Sequence, residues 1–272
     1  MREFNICTLR ADKVRSLIWA IHLLIILKHG DTLIKIKSIH SQAIQGMTAP
    51  FYCTASDGQK YFVKGLQANR QSQVNEWLCA HLAQSFGLPI PTFCLLYVDE
   101  TLHVELPPHH QTIGVGYSFG SQERRGIEWL ESHQIARLPN NLKRDILVFD
   151  KWINNTDRTI GNHNLIFNSS DFELFVIDHN LAFDPEYSVN TFLEMHLFGD
   201  QWQYFCNDWV ERDSYTHRMK QALKTFDSAW NSLPHEWQWA NDEQDLPAQR
   251  LSRQHIDAIL NHYEKSEFWQ SI

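Results

Sequence analysis

Residues 152–184 read WINNTDRTIGNHNLIFNSSDFELFVIDHNLAFD, and this stretch decides the fold. Two β-prone runs in it, 164–167 and 173–177, flank a polar turn and predict a β-hairpin. A turn centred on residue 170 pairs 167 with 173 and, at the open end of the hairpin, sets Asn162 beside Asp178. Amide and carboxylate oxygens that meet in this way suit a hard cation that bridges nucleotide phosphates.

Asp157 stands five residues before Asn162, in the loop that follows a long amphipathic segment. This is the spacing of a protein-kinase catalytic loop, in which the Asp accepts the substrate proton and the Asn holds magnesium. The alternative is that Asp157 and Asn162 only form a loop and that Asp178 caps a helix. Features upstream decide between the two interpretations.

Lys64 ends a predicted strand, 60–64, which pairs with 51–55 through the turn Ser56-Asp57-Gly58-Gln59. The register predicted for this hairpin sets Phe51 opposite Lys64. A preceding strand with period-two alternation begins near Leu33, so three antiparallel strands open the domain.

The loop before this hairpin contains Gly46 and Thr48 and is expected to lie over bound phosphates. After the hairpin, residues 72–86 show helical periodicity and end at Gly87. Glu76 lies on that helix, twelve residues after Lys64, where the ion-pair partner of a phosphate-orienting lysine is expected. The order glycine-containing loop, Lys64, Glu76, Asp157, Asn162, Asp178 favours the catalytic interpretation.

The remaining pattern predicts an α+β fold of two lobes, a β-rich N-lobe over 31–107 and a mainly helical C-lobe over 108–272. Strands are predicted at 93–98 and 102–106, helices at 123–134 and 140–153, and a helical bundle over 202–272. Pro107-Pro108 is taken as the boundary between the lobes.

Composition excludes several classes of protein. Lys and Arg number 24 against 32 Asp and Glu, so the net charge of −8 disfavours a nucleic-acid partner. The five cysteines are an odd, widely spaced set without a C-x-x-C pair, which argues against a disulfide framework or a zinc site and for a reducing, cytoplasmic location. No G-x-x-x-x-G-K-[ST] motif is present, so a P-loop NTPase is excluded.

Residues 1–30 form a separate apolar segment. Residues 17–27 (LIWAIHLLIIL) are eleven residues with His22 as their only polar member. A bilayer-spanning helix needs about 20 apolar residues, so no stable membrane insertion is expected. A buried or partner-covered helix is favoured, and a mis-assigned start upstream of the true domain is the alternative.

The segments WINNTDRTIGNHNLIF and FVIDHNLAFD resemble the catalytic region of HipA-like kinases and, more distantly, that of phosphatidylinositol 3-/4-kinases. YFVKG and NEWLCAHLAQSFGLPIP resemble the lysine strand and following helix of the same family, so the resemblance covers roughly 33–270. It implies ATP and Mg²⁺ as cofactors and a Ser or Thr of a protein as acceptor. Carried over by position, Asp157 is the catalytic base, Asn162 and Asp178 bind magnesium, and Lys64 holds the ATP phosphates.

Departures from the family pattern leave the substrate open. The resemblance is to the short members of the family, which lack the extra amino-terminal subdomain of the full-length toxin kinases. Thr159 stands where many relatives have His. A lipid or small-molecule kinase, or a nucleotide-binding pseudokinase that acts as an interaction partner, are the alternatives. An antitoxin-like partner is implied by the family alone. Arg158, beside the predicted base, either steadies a phosphate or pairs with an acidic neighbour.

Overall fold

The computed structural model describes residues 33–43, 48–168, 173–206, 208–241, 245–248 and 252–270. Internal contacts divide the chain into two units, 1–34 and 35–272, and the strands and helices that the structure describes belong to the second. The predicted apolar segment 1–30 and the predicted phosphate-loop residue Gly46 lie outside the described residues.

Five strands form an antiparallel sheet in the order β1-β2-β3-β5-β4. They are β1 (Ile36–Gln42), β2 (Phe51–Ala55), β3 (Lys60–Lys64), β4 (Phe93–Val98) and β5 (Gly116–Gln122). Alternate side chains of β2 are buried, as expected for a strand with one face on a core. The central strand β3 is thereby fixed on both edges, and its last residue is Lys64.

The β2–β3 hairpin forms where predicted, but its register differs by one residue. Phe51 pairs with Val63 and not with Lys64. The cause is a loop of three residues in place of four: the Ala55 amide donates to the Gln59 carbonyl, and Gly58 takes a left-handed φ of 78°. A glycine at this position closes a three-residue hairpin loop without a steric cost.

Helix α1 (Arg70–Phe86) lies next to the sheet. The Asn69 side chain caps its start by accepting from the Ser72 amide at 2.9 Å, and Gly87 ends it with a left-handed φ of 94°. The Trp77 indole donates to the Ala229 carbonyl and to the Ser232 hydroxyl. Helix α1 is therefore tied to the carboxy-terminal part of the chain.

Between β4 and β5 the chain forms helix α2 (Glu100–Glu105) and a 3₁₀ turn, Gln111–Ile113. The strand predicted at 102–106 is wrong, because the Asp99 side chain accepts from the Thr101 amide at 3.1 Å and starts a helix. Pro107-Pro108 lies within this connection, so the sheet of the amino-terminal lobe continues past the predicted boundary to Gln122.

A second sheet, in the order β6-β7-β8, follows. Its strands are β6 (Ile127–Trp129), β7 (Leu165–Asn168) and β8 (Glu173–Val176). The helix predicted at 123–134 is wrong over most of its length: Gly126 has a φ of 71°, β6 pairs with β7, and only the short α3 (Ser132–Ile135) is helical. Pairing with a strand distant in sequence overrides the local propensity.

Helices make up most of the remaining lobe: α4 (Asn140–Trp152), α5 (Val189–Met195), α6 (Trp209–Leu223), α7 (Phe226–Asn231) and α8 (Arg253–Leu260). Several tryptophans, Trp152, Trp202, Trp237 and Trp269 among them, are buried in its core, whereas Trp209 is exposed. The prediction of an α+β fold with a β-rich and a helical lobe is confirmed. No helix within the described ranges has the length and apolar character that crossing a bilayer requires.

One buried charge in this core, that of Lys151, has no counter-ion among the residues that the structure describes. Lys151 of α4 is 4% exposed, and its ammonium lies 4.9 Å from the ring centre of Trp202 and 5.1 Å from that of Phe268. Burial lowers the pKa of Lys151 to about 8. The cation–π contacts therefore offset only part of the cost of removing the ammonium from water.

We expect Lys151→Met to stabilise the protein at pH 7 by up to about 3 kcal/mol, since a lowered lysine pKa means that the unfolded chain binds the proton more tightly. The wild type should gain stability relative to the variant as the pH rises from about 8 to about 10.5. Urea unfolding across this range measures both effects. Lys220→Met, at an exposed position on α6, is the control. A wild-type stability that falls relative to Lys151→Met over this range would contradict the account.

Candidate active site

A large cleft lies where the five-stranded sheet, α1 and the second sheet meet. The predicted site residues that the structure describes all line it: Thr48, Lys64, Glu76, Asp157, Asn162 and Asp178. They come from five separate parts of the chain, and the fold brings them to one place.

Lys64 is the centre of the charges in the cleft. Its ammonium pairs with Glu76 of α1 and, at 2.7 Å, with Oδ1 of Asp178, the second residue after β8. The side chains of Lys64 and Glu76 are 10% and 5% exposed. Glu76 also accepts from the backbone amide of His179. The Lys64–Glu76 pair expected from the twelve-residue spacing is present, and Asp178 is added to it.

Burial and charge act against each other on these three groups. Burial alone would lower the pKa of Lys64. The carboxylates of Glu76 and Asp178 raise it by more, so the pKa lies above its ordinary value and the amine stays protonated. Burial raises the pKa of Glu76, with the Lys64 charge opposing it. For Asp178, the attraction of Lys64 outweighs burial and holds the pKa below its ordinary value. The site thus carries a fixed cation beside an ionised carboxylate.

Asp157 is held by two amides. The Nδ2 groups of Asn162 and Asn164 each donate to Oδ2 of Asp157 at 2.9 Å. Since both bonds fall on the same oxygen, Oδ1 is left to accept a proton from a hydroxyl. Asn164 is buried, whereas Asn162 and its neighbours Ile160 and Gly161 are exposed at the rim.

The predicted cation ligands suit a hard divalent ion. The Asn162 amide nitrogen faces Asp157, so its oxygen is the atom that can serve as a ligand. Asp178 contributes carboxylate oxygens, one of which contacts Lys64. Oxygen donors of this kind are what Mg²⁺ prefers. Over the described residues, no three His, Cys, Asp or Glu side chains converge as a metal cluster.

The register behind the Asn162–Asp178 prediction is nevertheless wrong by one residue. Leu165 pairs with Val176, and not with Phe175. Asn162 lies outside the ladder, in a turn with Thr159, and Asp178 leaves it with a left-handed φ of 61°. The two residues share the cleft because the loops at this end of the hairpin both open into it, and not because they are cross-strand partners.

Thr48 of the predicted phosphate loop is buried, and its hydroxyl has no hydrogen-bond partner within the described structure. It lies on the cleft wall together with Lys64. An unpaired buried hydroxyl facing a cleft is suited to a polar ligand.

Sequence reasoning missed Asn164 and left the role of Arg158 open. Arg158 is fully buried and pairs with Asp150 of α4 at 2.6 Å, so it does not face the cleft to steady a phosphate. His196 also contacts Asp150, at 3.0 Å. Burial would raise the pKa of Asp150, but Arg158 and His196 hold it far below its ordinary value. Asn164 lies two residues beyond the Asn of the D-x-x-x-x-N spacing, so the spacing does not predict its contact with Asp157. Only the folded structure shows that contact.

His179, next to Asp178, is a structural residue rather than a catalyst. It is 3% exposed, packs edge-on against Phe149, and burial lowers its pKa to about 4. It is neutral at physiological pH and cannot supply a cation to the cleft.

The model of the HipA-like kinase family matches residues 36–272. The chain belongs to the HipA-like kinase family. The resemblance found in residues 152–184 is confirmed, and the protein is a kinase by this membership. A sequence search of curated proteins finds no match.

Two solved structures resemble the chain in fold. The Golgi casein kinase is 14% identical with a TM-score of 0.50, and the match covers 86% of this chain and 72% of that one. The Helicobacter pylori proinflammatory kinase CtkA is 10% identical with a TM-score of 0.49, covering 84% of this chain and 92% of that one. At such identities the likeness extends to the fold alone.

We expect Lys64→Met to destabilise the protein by about 3–5 kcal/mol at pH 8, because two carboxylates then remain buried without a cation. The pKa of Glu76 rises further in the variant, so its folded state keeps a proton that the unfolded chain releases above about pH 4. The destabilisation should therefore grow from about pH 5 to about pH 8. Unfolding of Lys64→Met and of Lys60→Met, at the exposed start of β3, measures it; equal losses in both variants at all pH values would contradict the account.

Proposed function

We propose that the protein transfers the γ-phosphoryl group of ATP, with Mg²⁺, to a Ser or Thr hydroxyl of a protein. The observation that carries the proposal is the amide-held carboxylate of Asp157 in the same cleft as the Lys64–Glu76–Asp178 cluster. These are the groups that phosphoryl transfer needs, since it relies on positioning and on neutralising phosphate charge.

Asp157 has the role of base. Its Oδ2 is fixed by Asn162 and Asn164, so Oδ1 accepts the hydrogen bond of the acceptor hydroxyl and orients its oxygen toward the phosphorus. As the new O–P bond forms and the bond to the leaving ADP oxygen breaks, the hydroxyl proton passes to Asp157. The two amides keep the carboxylate in place and compensate part of its charge.

Lys64 supplies a permanent positive charge for the phosphates. It is already ionised and held by Glu76, so it needs no rearrangement to do so. Asn162 and Asp178 would hold the magnesium ion, which neutralises charge on the nucleotide phosphates when bound. Thr48 lines the same cleft as Lys64, and its hydroxyl, which has no partner within the described structure, would donate to a phosphate oxygen of bound ATP.

The openness of the cleft beside Asp157 supports an acceptor on a polypeptide. Ile160, Gly161 and Asn162 are exposed, and so is Leu181, three residues after Asp178. A rim of this kind admits an extended chain whose hydroxyl reaches Asp157, whereas a small acceptor requires an enclosed pocket.

Asp157→Ala should lower phosphoryl transfer by at least about 1000-fold while the protein stays folded, because the acceptor loses its base and orienting group. The measurement is transfer of label from γ-labelled ATP with Mg²⁺ to proteins of a host lysate, followed by phosphoamino-acid analysis. Asp213→Ala, at an exposed site on α6, is the control and should retain wild-type activity.

Three results would contradict the proposal. Transfer by a folded Asp157→Ala within threefold of wild type would remove Asp157 from the mechanism. Label found in lipid or in small metabolites, with none in protein, would replace the acceptor class. ATP binding with no transfer to any fraction would indicate a pseudokinase.

A further inference from the structure

We propose that Arg158 is a positioning residue: a single buried guanidinium that holds the loop of Asp157 and the segment of Asp178 in register with each other. The proposal rests on the proposed function, because it assigns Arg158 a part in the same transfer reaction. It follows from contacts of Arg158 that include neither the carboxylate of Asp157 nor that of Asp178.

On one side, the guanidinium group of Arg158 binds helix α4. Its Nε donates to Oδ2 of Asp150 at 2.6 Å, and both side chains are fully buried. Asp150 is held in turn by the Asn155 amide at 2.9 Å and by His196 at 3.0 Å. Displacing either Arg158 or Asp150 would leave a buried ion unpaired. These contacts therefore hold the pair in one geometry.

The other side of the guanidinium binds main-chain carbonyls of the two functional segments. Nη1 donates to the carbonyl of Asn164 at 2.7 Å and to that of His163 at 3.1 Å. Nη1 and Nη2 both lie 3.4 Å from the carbonyl of Ile177. The planar fork of Arg can serve several acceptors at fixed angles, which the single ammonium of Lys cannot.

Two of these carbonyls belong to residues linked to a proposed functional side chain: Asn164 contacts Asp157, and Ile177 precedes Asp178. The amide of Asn164 holds Asp157, so fixing the Asn164 backbone fixes the base. Ile177 directly precedes Asp178, so its carbonyl sets where the carboxylate leaves β8. The Ile177 amide also donates to the Asn164 carbonyl at 3.1 Å, so Arg158 adds a side-chain tie to a main-chain link between the segments that carry the base and the candidate metal ligand.

Backbone conformation at the same two places supports this role. Asn164 has a φ of 48° and Asp178 a φ of 61°, both in the left-handed region that residues other than glycine seldom occupy. Asn and Asp tolerate it better than most residues, but it persists only where the surroundings enforce it. The carbonyl contacts of Arg158 fall at Asn164 itself and immediately before Asp178.

Arg218 is a matched control elsewhere in the same lobe. It pairs with Asp145, also on α4, and donates to the carbonyl of Phe86. It therefore combines an aspartate of the same helix with a main-chain acceptor, but it contacts neither functional segment. Loss of its contacts should affect stability and leave the reaction intact.

The test compares Arg158→Lys with Arg218→Lys. We expect Arg158→Lys to lower kcat by about 100-fold with the KM for ATP within threefold of wild type, because misplacing reacting groups by about 1 Å costs this much. Amide exchange should quicken in 157–165 and 174–180. Arg218→Lys should leave kcat within threefold and exchange in both segments unchanged.

A double variant, Asp150→Asn with Arg158→Gln, covers the case in which Arg158→Lys fails to fold. It replaces the buried ion pair by neutral groups of similar shape, and Gln is too short to reach all three carbonyls. It should fold and show the same fall in kcat. A kcat within threefold of wild type in either folded variant would overturn the proposal, as would an equal fall in Arg218→Lys.

The exchange measurement separates this proposal from the proposed function. A wild type that transfers no phosphate would end the proposed function and, with it, any catalytic meaning of the positioning. Faster exchange in Arg158→Lys would then still show that Arg158 holds the two segments together, and unchanged exchange would show that it does not.

Discussion

The buried ammonium of Lys64 is the constraint on which the rest of the site depends. A lysine removed from water at the end of a central strand must find anionic partners, because an unpaired charge in the interior is too costly to keep. The fold supplies two: Glu76 from α1 and Asp178 from the end of β8. Because Lys64 contacts both carboxylates, it fixes the position of α1 against the first sheet and holds the end of β8, from the second sheet, at the same cleft.

The buried guanidinium group of Arg158 is another cation on which the site depends. Lys64 holds the side chain of Asp178, while Arg158 holds the carbonyl just before it and the backbone of the residue that fixes Asp157. The carboxy-terminal region adds a third tie, since Trp77, next to Glu76 on α1, donates to Ala229 and Ser232. The residues to which the proposed function assigns the reaction are thus held by elements from both lobes, which is the preorganisation that phosphoryl transfer requires.

Much of this could be predicted from the sequence where the signals are local. The Asp57-Gly58 turn, the end of α1 at Gly87, and the spacing of Lys64 and Glu76 each follow from a few neighbouring residues. The β2–β3 register was wrong by one residue because register depends on loop closure: Gly58 permits a three-residue loop where four residues were counted. The β7–β8 register was also wrong by one residue. The helix expected at 123–134 was wrong because β6 is stabilised by pairing with β7, far along the chain.

The contacts of Arg158, Asp150 and Asn164 could not be predicted, since no spacing rule links a helix residue to carbonyls on two later segments. The roles given to Asp157, Asn162 and Thr48 remain predictions, as do those of Gly46 and residues 1–30.

Calorimetry of ATP binding with and without Mg²⁺, on the wild type and on Asp178→Asn, tests the central claim most directly. If Asp178 binds the metal beside Lys64, Mg²⁺ should tighten ATP binding at least tenfold in the wild type, and the variant should lose most of that gain. Asp184→Asn, six residues further along the same segment, should behave as the wild type. An undiminished effect of Mg²⁺ in a folded Asp178→Asn would contradict the account.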